Sequence, residues 1–389
     1  MRNLRHVALV SALLIISNVK VYAIGAIDYS IHQEYTSSRA LGMGNAFAAV
    51  VDDHSTLFYN PAALAFRENG NLRMFVRAGL DPQYTEFASD LGEASGASSE
   101  IEQINAINNV LDDYLGVNMH SRVPTLGAVW VRPNWGIAFI PADVSTDIAP
   151  HQNGGYSLSI NAYIDTTLAY GYAKKFTWKD HQFAIGGTVK GIHRIDSSKQ
   201  VLSLELVSDS EAAFSNNDAR EGLTFDVDIG TLFVPEVSKG SVFRFAKPTM
   251  AVVVRNLLDI GFPMDLDLIG SESEEEPRQL YRRIDIGTKL ELPKFWVFQP
   301  KFAFDVRDIL HPNYSTQKGL HAGFELFWKV KEWWKGYWSF GSNQGYYTFG
   351  FGSRFGVFQL DLTTWGEEVG TSSVPQESRR YMVETSLDF

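Results

Sequence analysis

The sequence predicts an all-β chain: an antiparallel transmembrane β-barrel of about fourteen strands with a small N-terminal hatch segment inside its lumen. Three observations lead there. After residue 70 the chain breaks into segments of about seven to twelve residues in which apolar and polar side chains alternate, the pattern of a strand with two unlike faces. Charges of both signs occupy many of the polar positions; lipid is excluded on that face, so it must line an enclosed lumen. The chain opens on an export signal, later carries no run long and apolar enough for a membrane helix, and is 13% aromatic.

The ends and the composition narrow the class further. Arg2, Arg5 and His6 form a basic leader, residues 7–16 an apolar stretch too short to span a bilayer, and Val21-Tyr22-Ala23 a small-x-small cleavage site. Cleavage after residue 23 removes Arg2, Arg5 and Lys20 and no acid, taking the net charge from −11 to −14 (−11 minus 3). So acidic a chain lacks the basic face that nucleic acid requires. Cysteine is absent, which excludes both disulfides and a lipid anchor at the cleavage site. No Pro/Gly/Ser linker divides the chain, so the expected organisation is a signal (1–23), a hatch (24–70) and a barrel (71–389). The expected location is the outer membrane of a Gram-negative cell, with lipid and lipopolysaccharide as surroundings and the barrel-assembly machinery as an early partner.

Taken in order, the strands are read at 71–80, 125–131, 135–142, 164–173, 182–193, 222–233, 248–256, 281–291, 296–307, 320–328, 337–343, 346–355, 357–365 and 380–389. The division at Gly356 rests on length, because 346–365 would be one implausibly long strand. Longer connections mostly follow odd-numbered strands and shorter ones even-numbered strands, as long outer loops and short periplasmic turns require. Two connections break that rule: 343–345 is short where a loop belongs, and 234–247 is long where a turn belongs. Trp296, Phe298, Phe302, Phe304 and Val306 are assigned to lipid, and Gln299, Lys301, Asp305 and Arg307 to the lumen. Asp226 and Asp228 share one face of their strand; with Arg255 and Arg283 on nearby strands they are expected to form lumenal ion pairs. Trp333, Trp334, Tyr337 and Trp338 beside several lysines are read as part of an interfacial aromatic belt. The final strand should close against 71–80, with Phe389 at the periplasmic rim facing lipid.

One loop carries a helix signal. Ser99 can cap 100–115, with Glu102 three residues on completing a capping box, and Ile101, Ile104, Ile107, Asn108, Leu111 and Leu115 fall at helical spacing. The acidic run 271–276 reads as a solvated loop. The chain carries few motifs associated with chemistry. Gly42-Met43-Gly44 lacks the third glycine and the preceding strand of a dinucleotide loop, and no G-x-S-x-G or H-E-x-x-H run occurs. Adjacent Asp52, Asp53 and His54 suit a turn better than a metal site. The expectation is no enzyme, no cofactor and no metal.

The stretch 37–66, SSRALGMGNAFAAVVDDHSTLFYNPAALAF, organises the N-terminal part. Its small residues permit close backbone approach, Asp52-Asp53 can turn or cap the chain, and Asn60-Pro61 initiates a turn. Arg39, Gly42, Gly44, Phe47, Asp52, Asp53, Asn60, Pro61 and Ala62 fall together in a pattern that resembles the N-terminal hatch of the FadL-type outer-membrane transport proteins and their PorV-like and TraF-like relatives. The match covers about thirty residues, and Ala63 stands where those families often carry glycine. The resemblance implies a fourteen-stranded barrel passing hydrophobic small molecules, such as long-chain fatty acids or aromatic hydrocarbons. The PorV-like and TraF-like relatives imply instead an assembly or secretion partner for other proteins. An apolar groove down the lumen would favour the first, and a plugged, ion-paired interior the second.

Overall fold

The computed structural model describes residues 30–152, 154–208, 219–237, 245–269, 273, 275–371 and 373–389. The expected signal (1–23) and half of the acidic run 271–276 (residues 271, 272 and 274) lie outside these residues. Fourteen strands form a closed barrel in which each pairs antiparallel with its sequence neighbours. They are β1 (Asn71–Leu80), β2 (Met119–Arg132), β3 (Trp135–Gln152), β4 (Tyr156–Trp178), β5 (His181–Leu202), β6 (Arg220–Val234) and β7 (Pro248–Arg255). Then come β8 (Arg283–Glu291), β9 (Phe298–Ile309), β10 (Leu320–Lys331), β11 (Trp334–Asn343), β12 (Tyr346–Phe355), β13 (Phe358–Glu368) and β14 (Glu377–Asp388). Every strand read from the alternation is present. Gly356, at φ +62°, makes the turn that separates β12 from β13.

Closure is direct. β1 pairs with β14 from Arg73↔Asp388 to Leu80↔Tyr381, and Phe389 continues the ladder by exchanging main-chain hydrogen bonds with Leu72 at 2.9 and 3.0 Å. No edge is left to expose unpaired backbone to lipid. Phe389 itself is exposed at the end that carries the short turns, here taken as periplasmic.

The wall is uneven in height. β3, β4 and β5 run 18, 23 and 22 residues, well beyond their predicted limits, whereas β7 has only 8. The outer end of β4, YSLSINAY at 156–163, still alternates and was missed, whereas that of β5 (SSKQ, 197–200) is polar on both faces and carries no signal. The β6–β7 ladder joins only 229–233 to 250–254, five residue pairs against 22 between β4 and β5.

Four strands, β2 to β5, hold up a cap. The first outer loop contains α3 (Pro82–Ser95) and α4 (Glu100–Asp113), the latter capped by Ser99, whose hydroxyl accepts from the Glu102 N–H. α3 was not foreseen, because its apolar positions are too sparse for a clear stripe. On α4, Ile107 and Leu111 are buried but Ile101 is 73% exposed, so the inward stripe is narrower than the sequence suggests. Phe87, Ile107 and Leu111 pack with Met119, Ile148, Leu158 and Val201, which gives the outer mouth a small apolar core of its own.

The faces follow strand parity. Met74, Val76, Phe302, Phe304, Val383 and Leu387 point out and are exposed, as lipid-facing side chains must be, while Arg77, Arg194, Arg283 and Arg307 are fully buried inside. One assignment is corrected. Tyr337 is not part of the belt: it lies on the inward register of β11, buried, and donates its hydroxyl to Asp361 at 2.8 Å. The neighbouring Trp334 and Trp338 do point outward, as alternate positions require.

Removing Phe389 takes away the last rung between β14 and β1. A chain lacking it is expected to be exported normally but to give less inserted, heat-modifiable barrel on gels. Undiminished insertion with unchanged mobility would contradict the role assigned to that rung.

Candidate functional site

Residues 30–66 fill the barrel interior and define the site. Two short helices, α1 (Ser38–Gly42) and α2 (Thr56–Tyr59), and a 3-10 turn (Pro61–Phe66) are joined by tight turns, and almost all of their residues are buried. So short a segment cannot bury a core alone; the wall supplies what it lacks. Phe47, Val50, Leu57 and Leu64 pack against Phe75, Val129, Val131, Ile140 and Val253 from the strands. Small residues matter where backbones meet. A Cβ on Gly44, whose φ is +64°, would collide with the carbonyl oxygens of Ala322 and Ser342, and one on Gly42 would lie 2.8 Å from Gly350 Cα.

Polar bonds tie the hatch to the wall on every side. Asp305 on β9 accepts the main-chain N–H groups of Phe47 and Ala48 at 2.7 and 2.8 Å. Thr348 accepts from the Gly44 N–H and donates to Gly42 O, and Thr363 donates to Ser38 O. The Asn60 side chain accepts from the Ala62 N–H, which starts the 3-10 turn with Pro61 at its first position, and donates to Ala48 O and Thr231 O. Tyr59 sits between Arg255 and Arg307, whose guanidinium carbons lie 5.3 and 5.2 Å from its ring, and donates to the Asn45 side chain.

The strongest attachment is ionic. Arg39 grips Glu325 of β10 through two bonds of 2.6 and 2.8 Å and donates to Asp52 and Asp53 at 2.6 and 3.0 Å. Lys301 closes the cluster, 2.8 Å from Asp52 and 3.3 Å from Glu325. Asp53 also accepts from the Ser55 N–H and hydroxyl, the turn expected of an Asp-Asp-His run. Asp52 is half exposed, and the adjacent Arg39 and Lys301 charges hold its carboxyl well below the usual range. Burial opposes ionisation of Asp53, and the Arg39 charge and the Ser55 hydrogen bonds keep its carboxyl low. His54 is pushed down to about 3 by burial and by the Arg73 charge, so it is neutral when the hatch is docked.

The lumen candidates all point inward, with partners that differ from those read in the sequence. Asp228 pairs with Lys190 at 3.0 Å, and Asp226 accepts main-chain N–H groups of Val227 and Leu258. Neither meets Arg255 or Arg283. Those two arginines are directly opposed on β7 and β8, and like charges so placed turn to separate acids. Arg255 takes Asp285 at 2.8 Å; Arg283 takes Glu34 of the hatch at 2.6 Å and Asp308 at 3.2 Å. Arg307 donates to Asn45 O at 2.9 Å and lies 3.5 Å from Asp285. Glu34, Lys190, Asp285 and Glu325 were missed. The three on strands sit at inward positions that parity alone could have flagged. Glu34 precedes the motif and carries no local signal.

Toward the periplasm the hatch leaves a polar vestibule of about 410 Å³, lined among others by Asp52, His54, Arg67, Arg73, Lys301, Lys335, Arg354 and Asp388. Toward the outside a cavity of only about 30 Å³ remains beside His32, His120, Asp147 and Arg380. The docked hatch therefore plugs a lumen whose contacts are mainly ionic and hydrogen-bonded.

Arg39→Gln leaves Glu325 short of its main partner. Breaking a buried pair costs about 3–5 kcal/mol, and Lys301 should hold the loss near the lower figure, so amide exchange across 37–53 should speed up roughly 100-fold. Gly44→Val is expected to lower the yield of folded barrel. Docking should also weaken as pH falls. Released, His54 titrates near its ordinary value of about 6.5 and takes up a proton that docking excludes; the aspartates add to the loss below about 4. Amide protection of the hatch, corrected for intrinsic rates, should thus be greatest above pH 7 and decline between pH 6.5 and 4. Because Asp52 is half exposed, solvent screens its share, and Asp53 and His54 dominate.

Residues 57–237 match a family profile described as "F plasmid transfer operon, TraF, protein", a span just under half of the chain. None of the curated proteins matches. Among solved structures the chain is similar to the toluene transporter TbuX of Ralstonia pickettii, at 9% identity and TM-score 0.45, over 92% of this chain and 99% of that one. It is also similar to a FadL homologue of Pseudomonas aeruginosa (9% identity, TM-score 0.42, covering 92% and 98% of the two chains). A third is the CymD monoaromatic hydrocarbon channel, at 10% identity and TM-score 0.44, with 92% and 98% covered.

Proposed function

We propose that this chain is a Gram-negative outer-membrane barrel that admits small hydrophobic molecules, with residues 30–66 as its gate. The observation that carries the reading is how the plug is held. The polar half of its attachment, at Arg39, Asp305, Thr348 and Thr363, consists of bonds that water can replace when the segment shifts. The apolar core at the outer mouth, built on α3 and α4, offers a first surface to a hydrophobic solute. An apolar depression of about 530 Å³ on the outer wall, between Met74, Leu126, Phe139 and Leu387, offers a second. Long-chain fatty acids and aromatic hydrocarbons are the substrates proposed.

A second reading has its own support. Fully buried arginines and their acids make the lumen a poor path for an apolar solute while the hatch is docked. That, with the profile matched over 57–237, favours a barrel that serves a conjugation or secretion apparatus as a protein-binding scaffold.

The absence of native cysteine makes a clean test possible. Ser38→Cys with Thr363→Cys places one thiol on the hatch and one on β13, where Thr363 now donates to Ser38 O at 2.8 Å. If the hatch is a gate, oxidation should stop uptake of labelled oleate or toluene and reduction should restore it. Equal uptake by cells with and without the gene would remove the transport reading. A stoichiometric transfer or secretion protein recovered with the solubilised barrel would support the second.

A further inference from the structure

The geometry points to a binding site in the periplasmic vestibule for a small organic anion bearing carboxylate or phosphate groups. Lys335 is opposed in register by Lys329 on β10 and by Arg354 on β12, so three cations stand side by side on the inner wall. Like charges directly opposite one another destabilise a sheet unless something neutralises them. The protein neutralises them only in part. Lys329 pairs with Glu332, which is 85% exposed on the turn. Arg354 donates to the main-chain oxygens of Gly356 and Asp388, and its nearest carboxylate is Asp388 at 3.8 Å. Lys335 has no ion-pair or hydrogen-bond partner among the described residues and lines the vestibule beside Arg354 and Gln359.

The acids that share this cavity are engaged elsewhere. Asp388 and Glu384 are held by Arg73 at 2.8 and 3.1 Å, and Asp361 accepts from Tyr337 and Gln359. Asp52 and Asp53 are bound by Arg39. Across the cavity Arg67 donates only to the main-chain oxygens of Asp52 and Asp53, and its buried Nε has no partner. The lining carries six cations (Arg39, Arg67, Arg73, Lys301, Lys335 and Arg354) and five acids, a formal surplus of one (6 minus 5), and the cations with no carboxylate within hydrogen-bond distance are Lys335, Arg354 and Arg67. The volume, about 410 Å³, lies in the range of about 300–1,000 Å³ usual for small-molecule sites. Lysine supplies an adaptable point charge and the two arginines planar donors, a combination suited to carboxylate or phosphate oxygens.

The test is a calorimetric titration of the purified full-length barrel in non-ionic detergent at low salt, with citrate and with inorganic phosphate as probes. At least one anion should bind saturably in the micromolar to millimolar range, more weakly as salt is added. Lys335→Gln should weaken binding tenfold or more, whereas Lys179→Gln, on the β4–β5 turn outside the vestibule, should leave it unchanged. Heat-modifiability shows that each variant is folded, and Arg354→Lys, which keeps the charge, should retain binding better than Arg354→Gln. The relative affinities of the two probes assign the ligand to carboxylate or to phosphate chemistry. No saturable binding of either probe to the folded wild-type barrel at about 10 mM, or equal binding by Lys335→Gln, overturns the site. The titration needs no uptake, so a negative uptake result would leave this site standing, and the reverse holds too.

Discussion

Side-chain parity governs this molecule. In a closed sheet each residue faces either lipid or lumen, and charge on the lipid face is costly, so acids and bases at mid-strand are sent inward, while outward ones such as Lys174 of β4 stand toward a strand end. An interior so filled has to neutralise itself. Asp165 with Arg194, Asp143 with Arg77 and Asp285 with Arg255 do so from wall to wall. The balance comes from the hatch: Glu34 meets Arg283, Arg39 meets Glu325, and Asp52 meets Lys301. The segment is as much a set of counter-ions for the wall as a plug, and wall and hatch form one structure.

The two kinds of attachment have different consequences. The apolar contacts of Phe47, Leu57 and Leu64 favour the docked position whatever the pH. The ionic ones place it exactly, since a bidentate arginine–carboxylate pair tolerates little displacement, but they add little net stability over an apolar equivalent. A plug fixed in this way is sharply located without being fused to the wall.

Much of the fold was legible because alternation is enforced residue by residue. The inward places of Lys301, Asp305 and Arg307 on β9 followed from parity alone, and so did the outward places of Phe302 and Phe304. The hatch was legible for another reason: small residues at 40, 42, 44, 46, 48 and 49 mark close backbone approach, and Gly44 is packed against two wall carbonyls. What stayed hidden depended on distance in the chain. That Glu34 would take Arg283, or that Arg255 would turn to Asp285 and leave Asp226 and Asp228 to other partners, is set by strand register and by hatch placement, neither of which leaves a local trace. Tyr337 was misplaced because an aromatic cluster suggested a belt where parity, followed strictly, put that one residue inside. The outer extension of β5 and the helix α3 escaped because the pattern weakens there, SSKQ at 197–200 being polar on both faces, while the outer part of β4 (156–163) alternates and was overlooked.

The uneven wall has a consequence for the surrounding lipid. At a rise of about 3.3 Å per residue and a tilt near 40°, β4 climbs about 58 Å, but β7 only about 20 Å. The first overtops the hydrocarbon layer of about 25–30 Å, and the second falls short of it. Beside β7 the leaflets must therefore thin or the barrel must lean, each at a fraction of a kcal/mol per Å of mismatch. The β6–β7 ladder is also the shortest of those compared, so the most compressed lipid would lie against the part of the wall held by fewest main-chain bonds. Membrane thickness thereby becomes a variable that acts on one side of this barrel and leaves the other untouched.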